Sequence, residues 1–489
     1  MVLGVSAGVL LLAVLAVRVS VRLGTPSLLL YLAIGLALGE TLPRFSLTDA
    51  HVTETLGLAA LVLILVEGGL TTRWSAVRPA LGLGLLLSTA TVLVSIGVAG
   101  GLLHLVLGLE WRTALLWGAV LSSTDAAAVF SVLRGVAVPR RLAGTLELES
   151  GMNDAPVVLA VVVLAGSDPI GWTTPLLVVY ELAAGGAVGV LLGLAGAWAL
   201  RRAALPATGL YPLAAIAVCL LAYAAGQGVH ASGLLATYCA ALVLGNANLP
   251  HRGGVVSFAE GTGWIAQIGL FVLLGLYADL ERVPGAVVPA LICAAVVLLA
   301  ARPLSVLAVG LPYRLPLREQ AFLSWAGLRG AVPIVLALIA LTEGGPDNRI
   351  LVDVVFVLVV LLTLVQGTTL PWVGRLLGVV SRTDTRAIEV DAAPLDEVDA
   401  ELLQVRVPAG SRLRGVYLRE LRLPAGATVS LVVREAEAFS PDGETRLREG
   451  DRFLVVSTRS ARDATERRIR DVDRGGKLVR WHSGGGRSS

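Results

Sequence analysis

Thirteen long apolar runs fill the first 377 residues of this 489-residue chain, and no other feature limits its possible folds as strongly. They lie at about 2–18, 26–40, 55–72, 79–107, 113–134, 144–166, 175–200, 208–227, 230–246, 262–279, 285–310, 318–341 and 350–377. A bilayer offers no water to backbone N–H and C=O groups, so runs of about 20 apolar residues that cross it must be helices satisfying their own hydrogen bonds. The sequence therefore predicts an all-α polytopic membrane domain of about 13 transmembrane helices. Composition agrees, with 55% hydrophobic residues and a mean hydropathy of +0.79.

Charge is unevenly spread. Positions 381–489 hold 20 of the 39 Lys and Arg residues and 18 of the 36 Asp and Glu residues. That shift predicts a membrane domain over 1–380 and a water-soluble, mixed-charge part after it. The formal net charge is only +3, too small to suggest a nucleic acid partner. Cys219, Cys239 and Cys293 sit inside apolar runs without CxxC or metal-type spacing, so neither a disulfide framework nor a zinc site is expected. The first run has Arg18 and Arg22 after it and no basic residue before it, the reverse of a cleavable signal peptide.

Cytoplasmic loops collect Lys and Arg, so arginines near run ends predict the orientation. With the N-terminus outside, 14 arginines, Arg302 among them, fall on the cytoplasmic side; only Arg44, Arg112, Arg282 and Arg349 fall outside. The odd number of spans then leaves the charged tail in the cytoplasm.

Few charges remain at membrane depth: Asp125, Glu149, Asp154 and Arg329, with Glu67 shallower. A charge near the bilayer centre costs at least about 2.5 to 3.5 kcal/mol unless paired or wetted, so each needs a reason, and function is the default. Asp125 stands in Ser122-Ser123-Thr124-Asp125-Ala126-Ala127 and Asp154 in Glu149-Ser150-Gly151-Met152-Asn153-Asp154-Ala155-Pro156. On a helix, Ser150 and Asp154 share one face, and Glu149 and Asn153 the adjacent one. A dehydrated Na⁺ or K⁺ takes several oxygen ligands, preferably with one carboxylate, and this face offers them. Pro156 cannot donate to the carbonyl of Met152, which leaves that oxygen free beside the site. In the twelfth run, Gly327-Leu328-Arg329-Gly330-Ala331-Val332-Pro333 repeats the logic around a cation, with Pro333 freeing the carbonyl of Arg329 and Gly327 and Gly330 weakening the helix. Interrupted helices at corresponding places in two halves, here spans five and twelve, point to a transporter site built from inverted repeats.

Plainer roles stand beside these. Arg329, a buried arginine in need of a partner, is expected to pair with Glu149 and organise the site without touching substrate. Asp125 reads either as a ligand or as a bundle hydrogen-bonding group, and Glu67 either as a ligand or as a side chain snorkelling toward Arg73. Taken alone, Thr124 and Ser150 read as helix-packing residues.

At Ser122 to Ala127, Glu149 to Pro156 and Gly327 to Pro333 the chain resembles the NhaP-type branch of the monovalent cation:proton antiporters, over roughly residues 1–380. The resemblance implies an NhaA/NhaP-like fold with inverted repeats, in which Asp154 binds cation and proton alternately. It implies that Thr124, Ser150 and Glu67 help coordinate the ion, so that a monovalent cation sits at Asp154, Ser150 and Thr124. It further implies that Asp125 and Asn153 shape the site and that Glu149 pairs with Arg329. The Asn153-Asp154 pair, in place of two aspartates, goes with electroneutral exchange, and a homodimer is implied, with a six-helix core moving against a dimerising scaffold. Met152 and Ala155-Pro156 depart from the Phe and Gly expected around the pair.

The tail over about 398–472 resembles a TrkA-C (RCK-C) domain, carried by Leu402 to Pro408, Ser411 to Leu423 and Leu447 to Val456. This implies a small α+β cytoplasmic regulatory domain, often found with a preference for K⁺, acting through a ligand or a dimer contact. Alternating apolar residues predict strands at about 402–407, 428–434 and 452–457. A capping Ser predicts a short helix over Ser411–Leu421, and a last helix is expected at 460–472, with 381–397 a linker and 473–489 disordered.

The expected function is electroneutral K⁺ or Na⁺:proton antiport across the cell inner membrane by alternating access, with cation and proton competing for Asp154. No cofactor is expected beyond the transported ions and an unidentified regulatory ligand on the tail. A tail-gated cation channel, the first rival, requires a filter loop of the Thr-Val-Gly-Tyr-Gly kind, which the sequence lacks. A membrane enzyme or non-antiporting scaffold is the second; no HExxH, Walker loop or nucleophile elbow supports an enzyme.

Overall fold

The computed structural model describes residues 2–23, 26–41, 49–74, 78, 81–125, 138–167, 169, 171–379, 390–395, 400–408, 410–435, 437–458 and 460–475. The second half of the fifth run, with Ala126 and Ala127, lies outside them, as do most of the expected linker and the tail beyond 475. The chain divides into two compact units, a helical one of Met1–Leu249 and Gly254–Ser381 and a second of Arg382–Ser489 together with Pro250–Gly253.

The helical unit opens with α1 (Val2–Leu23), α2 (Ser27–Thr41), α3 (Ala50–Thr71), α4 (Leu81–Leu107) and α5 (Trp111–Ser122). It continues with α6 (Arg140–Met152), α7 (Asp154–Ala165), α8 (Thr174–Arg202), α9 (Leu210–Gly228), α10 (Gly233–Asn246) and α11 (Arg252–Tyr277). Then α12 (Val283–Val296) passes through a π-helical stretch at Val297–Ala301 into α13 (Arg302–Gly310), followed by α14 (Leu317–Ala326), α15 (Val332–Gly344) and α16 (Arg349–Leu376). Each of the thirteen apolar runs lands on one of these helices or on two in succession. By length and composition, eight described helical stretches are able to cross a membrane, and four shorter ones are apolar.

The bundle packs through small residues. On α8, Gly185, Gly189 and Gly193 recur every fourth position and are buried, while Leu176, Val179, Leu191, Leu194 and Trp198 are exposed. A Cβ at Gly185 would come within 2.6 Å of the Ser232 carbonyl, and one at Gly193 within 2.9 Å of Val243, so glycine lets α8 and α10 approach backbone to backbone. Lipid is as apolar as leucine, which is why close packing holds such helices together while the large side chains face the acyl chains. Arg202 lies 4.5 Å over the Trp198 ring at the end of α8, a pairing suited to the membrane–water interface.

Three spans are interrupted, the twelfth at the glycines and proline expected to weaken it. Ser123 is extended after α5, with ψ 144. Asn153 divides α6 from α7 three residues before Pro156, whose missing N–H cannot bond Met152. Residues 327–331 separate α14 from α15, which has Pro333 in its first turn.

The C-terminal unit is a five-stranded antiparallel sheet in the order β1-β2-β5-β3-β4, from β1 (Val390–Leu395), β2 (Ala400–Arg406), β3 (Ala427–Arg434), β4 (Glu437–Phe439) and β5 (Arg452–Thr458), with α17 (Arg462–Gly475) after it. Alternation sends Leu403 and Val405 of β2 and Phe453 and Val455 of β5 into one core with Ile469 and Val472 of α17. Two expectations are corrected. Residues 390–395, expected as linker, pair with β2 as an edge strand, where Pro394 is tolerated. Ser411–Leu421 is not a helix: Gly415 adopts φ +84, and only a 3₁₀ turn forms at Leu418–Leu421.

Candidate functional site

The broken spans five and twelve meet. The N–H of Asp125 donates to the Leu328 carbonyl at 2.9 Å, and the N–H of Ala331, the residue capping α15, donates to Asp125 Oδ2 at 2.7 Å. A carboxylate at a helix N-terminus faces the positive end of the helix dipole. Gly330 makes this approach possible, because a Cβ there would collide with the Asp125 carboxylate. Arg329 answers with the opposite charge at two helix C-termini: Nε donates to Leu121 O of α5 at 3.2 Å and Nη1 to Gly327 O, just past α14, at 2.8 Å. The carbonyl of Arg329, which Pro333 leaves without a helical donor, accepts from Thr363 Oγ1 at 2.9 Å. Asp125 thus has the hydrogen-bonding role foreseen as one of its two readings, holding the crossing together.

Beside the crossing lies Asp154, 2% exposed, at the first turn of α7. Its Oδ1 accepts from Ser123 Oγ at 3.3 Å. Asn153 Nδ2 donates to Thr124 Oγ1 at 2.6 Å, and Thr124 Oγ1 lies 3.2 Å from Ser150 Oγ. Asn153 Oδ1 is buried with no hydrogen-bond partner among the described residues. Asn153 keeps helical dihedrals, its N–H bonded to Glu149 O at 2.9 Å, and presents its side chain to Thr124. Asp125 and Asp154 are near enough to repel one another. A buried group of oxygens short of donors is what an alkali cation or a proton would complete.

The expected Glu149–Arg329 pair is corrected. Glu149 is bonded by Arg302, through Nη1 to Oε1 and through Nη2 to Oε2 at 2.9 Å, and Arg302 Nη2 also donates to Leu323 O at 3.2 Å. Both partners are buried, and the fork of the guanidinium matches the carboxylate. Arg329 dispenses with a carboxylate because helix-end carbonyls receive it, and its Nη2 has no partner among the described residues. Gly327 gives Arg302 its space: a Cβ there would come within 2.7 Å of Arg302 Nε.

Arg302 is therefore not a loop arginine, and it leaves the set assigned to the cytoplasmic side. A signal existed: eight mostly apolar residues, 303–310, follow it before its run ends, too far in for a cytoplasmic boundary. Ser123 and Thr363 were also missed as site residues. Glu67, half-buried on α3, lies against Gly263 of α11, where a Cβ would come within 2.8 Å of its Oε2.

Residues 9–376 match the sodium/hydrogen exchanger transmembrane family, and residues 402–470 match the TrkA-C domain. The chain is 35% identical to the K⁺/H⁺ antiporter NhaP of Alkalimonas amylolytica over 437 residues, covering 87% of this chain and 76% of that one. It is 34% identical to the K⁺/H⁺ antiporter NhaP2 of Shewanella baltica over 469 residues, covering 92% of this chain and 80% of that one. The fold matches the sodium proton antiporter MjNhaP1 of Methanocaldococcus jannaschii with a TM-score of 0.65 at 23% identity, over 77% of this chain and 98% of that one.

Proposed function

The chain belongs to the sodium/hydrogen exchanger family, and from that premise we propose that it exchanges one monovalent cation for one proton at Asp154. One observation carries the assignment of the site: Asp154 is buried with a single described side-chain donor, Ser123, beside an amide oxygen with none, while the buried arginines bond Glu149 and backbone carbonyls instead. A carboxylate in that state is costly when charged and alone. A proton neutralises it, and so does an alkali ion held also by Thr124, Ser150 and Asn153 Oδ1, with Glu67 a further ligand. Each excludes the other, so alternate opening to the two sides couples their fluxes, and a single carboxylate gives electroneutral exchange.

K⁺ is proposed as the cargo on the likeness to the two K⁺/H⁺ antiporters. The arginines near the span ends support an orientation with the N-terminus outside and the TrkA-C domain in the cytoplasm, and membership of the family supports a homodimer in the cell inner membrane. The test is ⁸⁶Rb⁺ and ²²Na⁺ flux with a pH dye in proteoliposomes. Wild type should exchange cation for proton without a membrane potential, and an Asp154→Asn variant that still does so removes the assignment.

A further inference from the structure

The C-terminal domain carries a cavity of about 700 Å³ that none of the chemistry above uses. Arg414, Arg434, Arg446 and Arg448 line it, with Phe439 an apolar wall and Glu449 the one acidic side chain among its described lining residues. Alternation puts two of these arginines there. Residues 445–448 run beside 415–417: the N–H of Gly415 donates to Leu447 O at 2.8 Å, that of Leu447 to Val416 O at 3.0 Å, and Tyr417 bridges to Arg446. Leu447 is buried in the core, so Arg446 and Arg448 on either side of it turn outward.

Two of the arginines are fixed from behind. Arg434 donates Nε and Nη2 to the two oxygens of Asp451 at 2.9 and 2.8 Å, and Nη2 also to Arg446 O at 3.0 Å. Arg446 donates Nε to Gly415 O at 3.0 Å. Gly415 combines φ +84 with the absence of a Cβ that would come within 3.0 Å of Arg446 Nη2, so only glycine suits both. Among the described residues, the η nitrogens of Arg446 and the guanidinium of Arg448 meet no protein acceptor.

Elsewhere in the domain Arg419 pairs with Glu444, Arg462 with Glu401 and Arg470 with Glu466. Four guanidinium groups line the cavity, and carboxylates engage two of them, Glu449 that of Arg414 and Asp451 that of Arg434. Guanidinium forks are shaped for the paired oxygens of phosphate, and such bonds are about twice as strong as neutral ones.

We infer that this cavity binds a small soluble anion carrying two or more phosphate groups, its oxygens taken by Arg446 and Arg448 against a wall fixed by Arg434 and Asp451. Calorimetric titration of the purified full-length protein in detergent with inorganic pyrophosphate, and with ADP as a second probe, tests it. Saturable binding is expected, weakened at least about tenfold in Arg446→Gln and in Arg448→Gln, and unchanged in Arg470→Gln and in Asp154→Asn. Arg448 bonds no described residue through its side chain, so Arg448→Gln decides the matter if Arg446→Gln disturbs the fold. Absence of binding by either probe overturns the inference, as does equal loss in Arg470→Gln. A third arm offers short-chain phosphatidic acid; binding of that lipid phosphate alone, without pyrophosphate, also overturns it.

Discussion

Two aspartates, one in each unit, are almost completely shielded from solvent and have opposite surroundings. Asp451, at the start of the last strand, accepts from Arg434 Nε and Nη2 at 2.9 and 2.8 Å and from the N–H of Arg448 at 2.7 Å. Asp154, in the helical bundle, has one described side-chain donor, Ser123, at 3.3 Å. A carboxylate supplied with an arginine fork and an amide has its oxygens satisfied and serves structure; one left short of donors can release a stabilising partner and take another. The shortage of donors, not burial, is what sets the proposed ion-binding residue apart.

Exchanging each carboxylate for an amide should separate the two cases completely. Asp154→Asn should reduce cation-driven proton flux to the level of empty liposomes, the largest effect expected, and leave the thermal midpoint unchanged or raised, since an under-supplied charge is removed. Asp451→Asn should do the reverse, destabilising the C-terminal domain by about 1 to 3 kcal/mol, because the buried side chain at 451 loses the ionic fork it makes to the partly exposed Arg434. If Asp154→Asn melts the bundle while Asp451→Asn leaves the domain intact, the contrast is wrong.

The buried Glu149–Arg302 pair extends the comparison into the bundle itself. It resembles the Asp451 arrangement, so it should behave as structure. Arg302→Gln is expected to destabilise by about 3 to 5 kcal/mol and to lower the amount of folded protein in the membrane, with the cation dependence of any remaining exchange unaltered. A well-folded Arg302→Gln protein with changed cation preference would place this arginine in the site. Gly330→Ala should follow in size: its methyl group displaces the Asp125 carboxylate, and exchange should fall at least about tenfold, by more than the thermal midpoint explains.

Much of this was legible in the sequence because the bilayer permits so few solutions. The thirteen apolar runs and the interruption of the twelfth at 327–331 follow from residues suited to lipid and from glycines and a proline that weaken a helix. Which arginine reaches Glu149 did not follow. Arg329 and Arg302 are close enough to repel one another, and the choice depends on helix-end carbonyls receiving Arg329, which is a matter of three-dimensional placement. In the small domain, Pro394 and weak alternation hid β1, and Gly415 broke the helix that Ser411 seemed to open.

The smallest effect concerns a third aspartate, which removes burial from the comparison altogether. Asp442 is fully exposed, and Thr445 Oγ1 donates to its Oδ1 at 2.7 Å, which holds the Asp442 carboxyl below the usual carboxylate range. A depressed value in the folded state means that the bond stabilises the fold above the unfolded value of about 3.9 and is lost as pH falls through the folded one. Thr445→Val should therefore lower the melting temperature of the C-terminal domain slightly at pH 6, and the difference from wild type should shrink toward pH 3 to what the bond from the Asp442 N–H to Thr445 Oγ1, 3.0 Å long, contributes. A difference that instead grows with acidity would show that Thr445 acts through something other than the Asp442 carboxylate, and that donor supply alone does not set the state of these acids.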